Sequence, residues 1–139
     1  MSSPEGSGNR EIVQRAFEAL SLGDSRPLLG ILSEDVSWRV MGHTPWSGIY
    51  RGKESVVRDL LRELGARLAG RYKATADLIL ADGAHVVVQA RGHATTRAGK
   101  AYDNEYCFVY KLENGLVTEV TEYLDTELVV AALGDPAAG

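Results

Sequence analysis

Residues 101–125 read AYDNEYCFVYKLENGLVTEVTEYLD. Two runs of alternating residues meet at Asn114-Gly115, a pair whose two positions both tolerate positive φ, so the segment is predicted to be an antiparallel hairpin of Ala101–Glu113 and Leu116–Asp125. In the first run Tyr102, Asn104, Tyr106, Phe108 and Tyr110 share one side, opposite Asp103, Glu105, Cys107, Val109 and Lys111. In the second, Leu116, Thr118, Val120, Glu122 and Leu124 form the more apolar side. Working back toward the N-terminus, Tyr72–Ala81 and Ala84–Arg97 form a similar pair around Asp82-Gly83, with a further turn near Gly99. Four long strands in succession predict a mainly antiparallel sheet.

Helices precede it. From Arg10 to Leu22, Val13, Ala16, Phe17 and Leu20 recur at helical spacing, with Asn9 as the expected N-cap and Gly23 at the stop. Ser25 and Pro27 open a shorter helix that Ser33 and Glu34 end. Val36, Trp38 and Val40 alternate as a strand, leading into the loop Gly42–Gly48. From Gly52 to Leu68, Val56, Val57, Leu60, Leu61, Leu64 and Leu68 make one apolar stripe. Asp125 can cap a last helical turn, Thr126–Leu133. Helices followed by long hairpins predict an α+β domain over residues 9–133, with a strongly curved sheet wrapped over the long helix into a cone. Residues 1–8 and 134–139 are expected to be flexible tails.

The chain has 139 residues, 45% of them apolar and 24% charged, enough for one core without disulfides. Its 15 basic residues are scattered among 19 acidic ones, for a net charge of −4, which argues against nucleic acid as a partner. The single cysteine, Cys107, and three scattered histidines give no metal-binding spacing, so neither metal nor cofactor is expected. No stretch has the length of a membrane span or the pattern of a secretory leader, so no membrane association and a cytoplasmic location are expected. There is no GxSxG elbow, P-loop or GxGxxG.

The candidate chemistry lies where polar residues interrupt apolar faces. Glu122 sits among inward-pointing aliphatic residues, where burial raises a carboxyl pKa unless a cation or hydrogen bonds offset it, and such a carboxylate can act as a general base. The alternative places Glu122 at the sheet rim, paired with a Lys or Arg. The aromatic stripe is read as inward, which makes Asn104, Tyr106 and Phe108 expected ligand contacts. Arg91 and His93 share a face with Val87, Gln89 and Thr95. If that face lines the cavity, Arg91 can hold Glu122 and His93 can exchange a proton with substrate; if it faces water, both are solvated strand residues. The loop carrying His43 and Trp46 is either a pocket lid or a staple to the third helix.

Helix Ile12–Leu20, the segment Ser33–Trp38, Gly48-Ile49-Tyr50-Arg51-Gly52-Lys53-Glu54, and Tyr102–Tyr106 through Asn114-Gly115 to Glu122-Tyr123-Leu124-Asp125 resemble the SnoaL-like proteins. These belong to the superfamily of ketosteroid isomerases and nuclear transport factor 2. The resemblance implies a conical barrel with one pocket, and a homodimer formed through the outer face of the sheet. The steroid-isomerase base falls at Val40 and its oxyanion tyrosine at Ala16, so that chemistry does not carry over. The limonene-epoxide-hydrolase pattern of Arg-x-Asp and a later aspartate falls at Arg91-Gly92-His93 and Glu122, with two of three roles altered.

These observations predict a small apolar organic ligand, with Trp38, His43, Trp46, Tyr50, Asn104, Tyr106 and Phe108 around it. Two functions follow: an isomerase, cyclase or epoxide-hydrolase-like enzyme working through Glu122, Arg91 and His93, or a non-catalytic ligand-binding domain. A third reading is a dimerisation module with a collapsed pocket.

Overall fold

A computed structural model describes residues 4–138. Helix α1 (Pro4–Ser21) and the short α2 (Arg26–Gly30) precede strands β1 (Leu32–Val40) and β2 (Gly48–Arg51). Helix α3 (Lys53–Ser55) runs through a π-helical stretch, Val56–Leu61, into α4 (Arg62–Ala66). Strands β3 (Lys73–Asp82), β4 (His85–His93), β5 (Glu105–Glu113) and β6 (Leu116–Leu124) follow, then α5 (Thr126–Leu133) and a 3-10 turn at Pro136–Ala138. Among the described residues no helix is long and apolar enough to cross a membrane.

The six strands form one curved, unclosed sheet in the order β2-β1-β6-β5-β4-β3, with only the β1–β6 pair parallel. Both predicted hairpins form. At the second turn Asn114 and Gly115 both adopt positive φ, 52° and 80°, which matches the right-handed twist of the strands they join. At the first, Asp82 pairs with His85 and the turn is Gly83-Ala84, with Gly83 alone at positive φ.

Several boundaries differ from expectation: β4 ends at His93 rather than Arg97, and β5 begins at Glu105 rather than Ala101. Helix α1 begins at Pro4 rather than Arg10, and Asn9 is not a cap: it is buried, and its side-chain amide donates to the Gly83 carbonyl at 3.1 Å, tying the helix to the β3–β4 turn. The expected N-terminal tail is therefore helical from residue 4, while residues 1–3 and 139 of the expected tails lie outside the described region. Strand β2 falls between the expected loop, Gly42–Gly48, and the helix expected from Gly52, and it pairs with β1 from Ser37 to Val40.

The core fills the concave side of the sheet. Val13, Ala16, Phe17 and Leu20 of α1 meet Val86, Val88, Phe108 and Tyr110 of the sheet, and Val56 and Leu60 close the β1 end. Burying an aliphatic side chain such as Val13 or Val88 contributes about 1.5–3 kcal/mol. A register irregularity between Lys111 and Leu112 reverses the alternation of β6: Leu116 is exposed and Val117 buried, while Val120 and Glu122 still point inward.

Candidate active site

Between the concave sheet and the helices lies a cavity of about 590 Å³, within the range of small-molecule sites. Its walls carry few charges. Strand β5 contributes Tyr106, Phe108 and Tyr110, stacked ring on ring at 5.0 and 5.7 Å between centroids. Trp38 meets Phe108 edge-on at 6.4 Å, and the helices add Phe17, Leu20, Leu60 and Leu64.

Glu122 is the one charged side chain on the cavity's apolar floor. Strand β6 places it beside Phe108 of β5 and Val40 of β1, and only 9% of its surface is exposed. The Trp38 indole N–H donates to Oε1 at 2.8 Å. No cation stands within ion-pair distance among the described residues, so burial dominates over the Trp38 hydrogen bond and pushes the carboxyl from 4.5 up to about 7. At neutral pH about half of it is ionised, which suits a group that takes and returns a proton.

Arg91 and His93 do not join it. Val86, Val88, Ala90 and Gly92 are the buried side of β4, which turns Arg91 and His93 to the outer surface. Arg91 there makes two hydrogen bonds to Asp77, 2.8 and 2.9 Å long, and the His93 ring nitrogen lies 3.4 Å from the Thr75 hydroxyl. The expected trio is thus split across the sheet: only Glu122 faces the cavity.

Of the predicted ligand contacts, Trp38, Trp46, Tyr106 and Phe108 line the cavity. Trp46 is fixed rather than free to open. Its indole N–H donates to the Gly134 carbonyl at 2.8 Å, the Arg67 guanidinium covers its ring at 5.0 Å, and the Tyr50 hydroxyl donates to its carbonyl at 2.7 Å. Tyr50 supports Trp46 and is not itself part of the wall. His43 is exposed on the loop, away from the cavity. Asn104 is wholly buried but structural: its amide donates to the Asp125 carbonyl at 3.1 Å and accepts from the Asp125 and Glu105 backbones at 3.0 and 2.7 Å, joining the start of β5 to the end of β6.

Residues not anticipated as contacts supply most of the polar lining. Tyr72, Tyr102 and Tyr110 face the cavity with Tyr106. The Tyr106 hydroxyl interacts with those of both Tyr72 and Tyr102; burial pushes the Tyr102 phenol up to about 12 and raises Tyr72, Tyr106 and Tyr110 well above the usual phenol range. Glycine at position 92 makes room for them. A Cβ there would stand 3.0 Å from the Tyr72 hydroxyl and 3.1 Å from the Tyr106 ring. The Tyr110 hydroxyl is buried without a hydrogen-bond partner. Tyr102 and Tyr110 were legible on the aromatic stripe, whereas Tyr72 had no signal beyond standing two residues before the inward Ala74. Among the described residues no three His, Cys, Asp or Glu side chains gather as a metal site would require.

The SnoaL-like domain family matches residues 13–120. An uncharacterized protein of Mycobacterium tuberculosis is 26% identical over 113 residues, covering 81% of this chain and 86% of that one. Among solved structures, a candidate SnoaL-like polyketide cyclase from Jannaschia sp. CCS1 superposes with a TM-score of 0.77 at 19% identity, covering 96% of each chain. An epoxide hydrolase of M. tuberculosis resembling limonene epoxide hydrolase superposes with a TM-score of 0.71 at 22% identity, covering 94% of this chain and 92% of that one. At such identities the two structures establish the fold.

Proposed function

The chain belongs to the SnoaL-like family, and from that premise we propose that it is an acid–base enzyme acting on an apolar organic substrate held in the cavity, with Glu122 as the base. The observation that carries this reading is a carboxyl buried on the cavity floor with no cation among the described residues to balance it. Ionised, Glu122 removes a proton from a carbon next to a carbonyl, the step an isomerase or cyclase needs. The charge that develops on the substrate oxygen is met by phenol hydroxyls of the tyrosine cluster, and the proton on Glu122 is then returned. Each of these steps uses side chains the chain itself supplies. Within the same reading the protein is a cytoplasmic homodimer. The outer face of the sheet, where Leu80, Val87, Val109 and Thr121 stand in register and Tyr123 is 46% exposed, supports such pairing.

A second reading, a binding domain without catalysis, is favoured by one specific observation: Arg91 and His93, two of the three groups expected to act, face away. The two readings separate in deuterium exchange at the carbon next to the carbonyl of 2-tetralone, followed by NMR. The enzyme reading requires acceleration by the wild type that rises with a midpoint near pH 7 and is lost in Glu122→Gln. Exchange as fast in Glu122→Gln as in the wild type removes Glu122 as the base; binding of the ketone without exchange leaves the binding domain.

A further inference from the structure

The cavity has two unlike ends. Its floor is aromatic around Glu122. Its mouth lies between the α1–α2 turn, Gly23 to Arg26, the end of α4 at Gly65, and Gly70-Arg71 ahead of β3. The single acid at the mouth, Asp24, is already engaged: Arg26 makes hydrogen bonds of 2.9 and 3.0 Å to its two oxygens and lowers its pKa to about 2.

Arg71 stands beside this pair. Gly23, at a φ of 84°, packs its backbone against Arg71: a Cβ there would be in ordinary van der Waals contact with Arg71 Cβ at 3.4 Å. The Arg71 guanidinium has no partner within ion-pair or hydrogen-bond distance among the described residues, and its field reaches Asp24 only at longer range. Two cations, Arg26 and Arg71, therefore line the mouth against one acid, in a chain whose net charge is −4.

The floor repels what this mouth attracts. An anion on the floor would meet the Glu122 carboxylate across a water-poor cavity, where like charges strongly disfavour each other. At the mouth, water and basic side chains both stabilise it. We propose that the mouth is a carboxylate subsite centred on Arg71, and that the substrate is an apolar molecule with one carboxylate, seated with its body against Tyr106 and Phe108 and its charge outward. This deepens the enzyme reading, on which it rests, by fixing the substrate's chemical class and its orientation toward Glu122.

Three probes with the same apolar body test it by calorimetry: naphthylacetate, naphthylacetamide and naphthylethylamine. Exposed ion pairs are individually weak, so the wild type is expected to bind the carboxylate about fivefold more tightly than the amide and the amine least well. The preference shrinks at high salt, because charges at an open mouth are screened. Arg71→Glu reverses the order and Arg71→Gln abolishes the preference, while the amide binds all three proteins alike and so reports that the pocket is intact. Equal affinity of wild type for carboxylate and amide, or a preference unchanged in both variants, overturns the proposal. Failure of the base reading shows separately, as exchange unaffected by Glu122→Gln while the carboxylate preference stands. No binding of any probe overturns both.

Discussion

Replacing Glu122 by Gln should make the protein more stable at pH 8 and leave its stability unchanged near pH 4.5. The carboxyl rises from 4.5 in the unfolded chain to about 7 in the fold because it loses water on burial and gains no cation. The folded state thus holds the proton more tightly than the unfolded chain does. Below pH 4.5 the neutral acid is present in both states and there is no penalty; between 4.5 and about 7 stability falls as pH rises; above about 7 the full penalty applies. At about 1.4 kcal/mol per pH unit, the penalty amounts to about 3 kcal/mol. Gln carries no charge and keeps an oxygen for the Trp38 N–H, so the variant escapes the loss without opening a cavity. Urea unfolding of both proteins at pH 4.5, 6 and 8 measures it. Other titrating groups are common to both chains, so the difference between the two curves isolates Glu122. Curves that run parallel across this range would refute a buried, cation-free carboxyl at position 122.

Three further outcomes follow from contacts already described. Trp38→Phe removes the hydrogen bond that favours the ionised carboxylate, so the wild-type-minus-Glu122→Gln midpoint, measured again in the Trp38→Phe background, should move to higher pH. Gly92→Ala places a methyl 3.0 Å from the Tyr72 hydroxyl and 3.1 Å from the Tyr106 ring; overpacking of this kind costs about 1–3 kcal/mol, read as a lower urea midpoint. Arg91→Ala breaks only an exposed pair with Asp77 on the outer face, so tetralone exchange should be unchanged; a marked loss of exchange would put Arg91 back in the mechanism.

Much of the fold was legible because its turns are local chemistry. Asn114-Gly115 announces a hairpin whatever surrounds it, and the stripe Tyr106, Phe108, Tyr110 has no reason to face water. The sequence hid what distant partners decide. Pro4 to Gly8 reads as a tail, with two glycines in five residues, yet it continues α1, which is anchored through Asn9 to the Gly83 carbonyl and Arg10 to the Ile79 carbonyl. The four residues of β2 gain strand character from pairing with β1, with no pattern of their own. Strand β4 was the costliest ambiguity. Its inward face carries Ala90 and Gly92, too small to look like core, and its outward face carries Val87, so Arg91 and His93 could be read either way. The small residues were themselves the signal. Space given up at Gly92 is taken by the side chains of Tyr72 and Tyr106.

The same comparison separates what holds this molecule together from what it works with. Asn104 is buried and satisfied: its side chain makes hydrogen bonds to two strand ends and donates to the Tyr102 hydroxyl at 3.3 Å. Glu122 is buried without a counter-charge among the described residues. It accepts one hydrogen bond from Trp38, balances no charge, and at neutral pH subtracts from stability by an amount comparable to a large share of a domain's total. A collapsed pocket would have no room for such a group to be relieved, and a purely structural position would be served better by Gln. The cavity beside it is large enough for a ligand, and its far end offers the cations that Glu122 lacks. A substrate that leaves its own charge at Arg71 and presents an acidic C–H to the floor is the partner for which that arrangement makes physical sense.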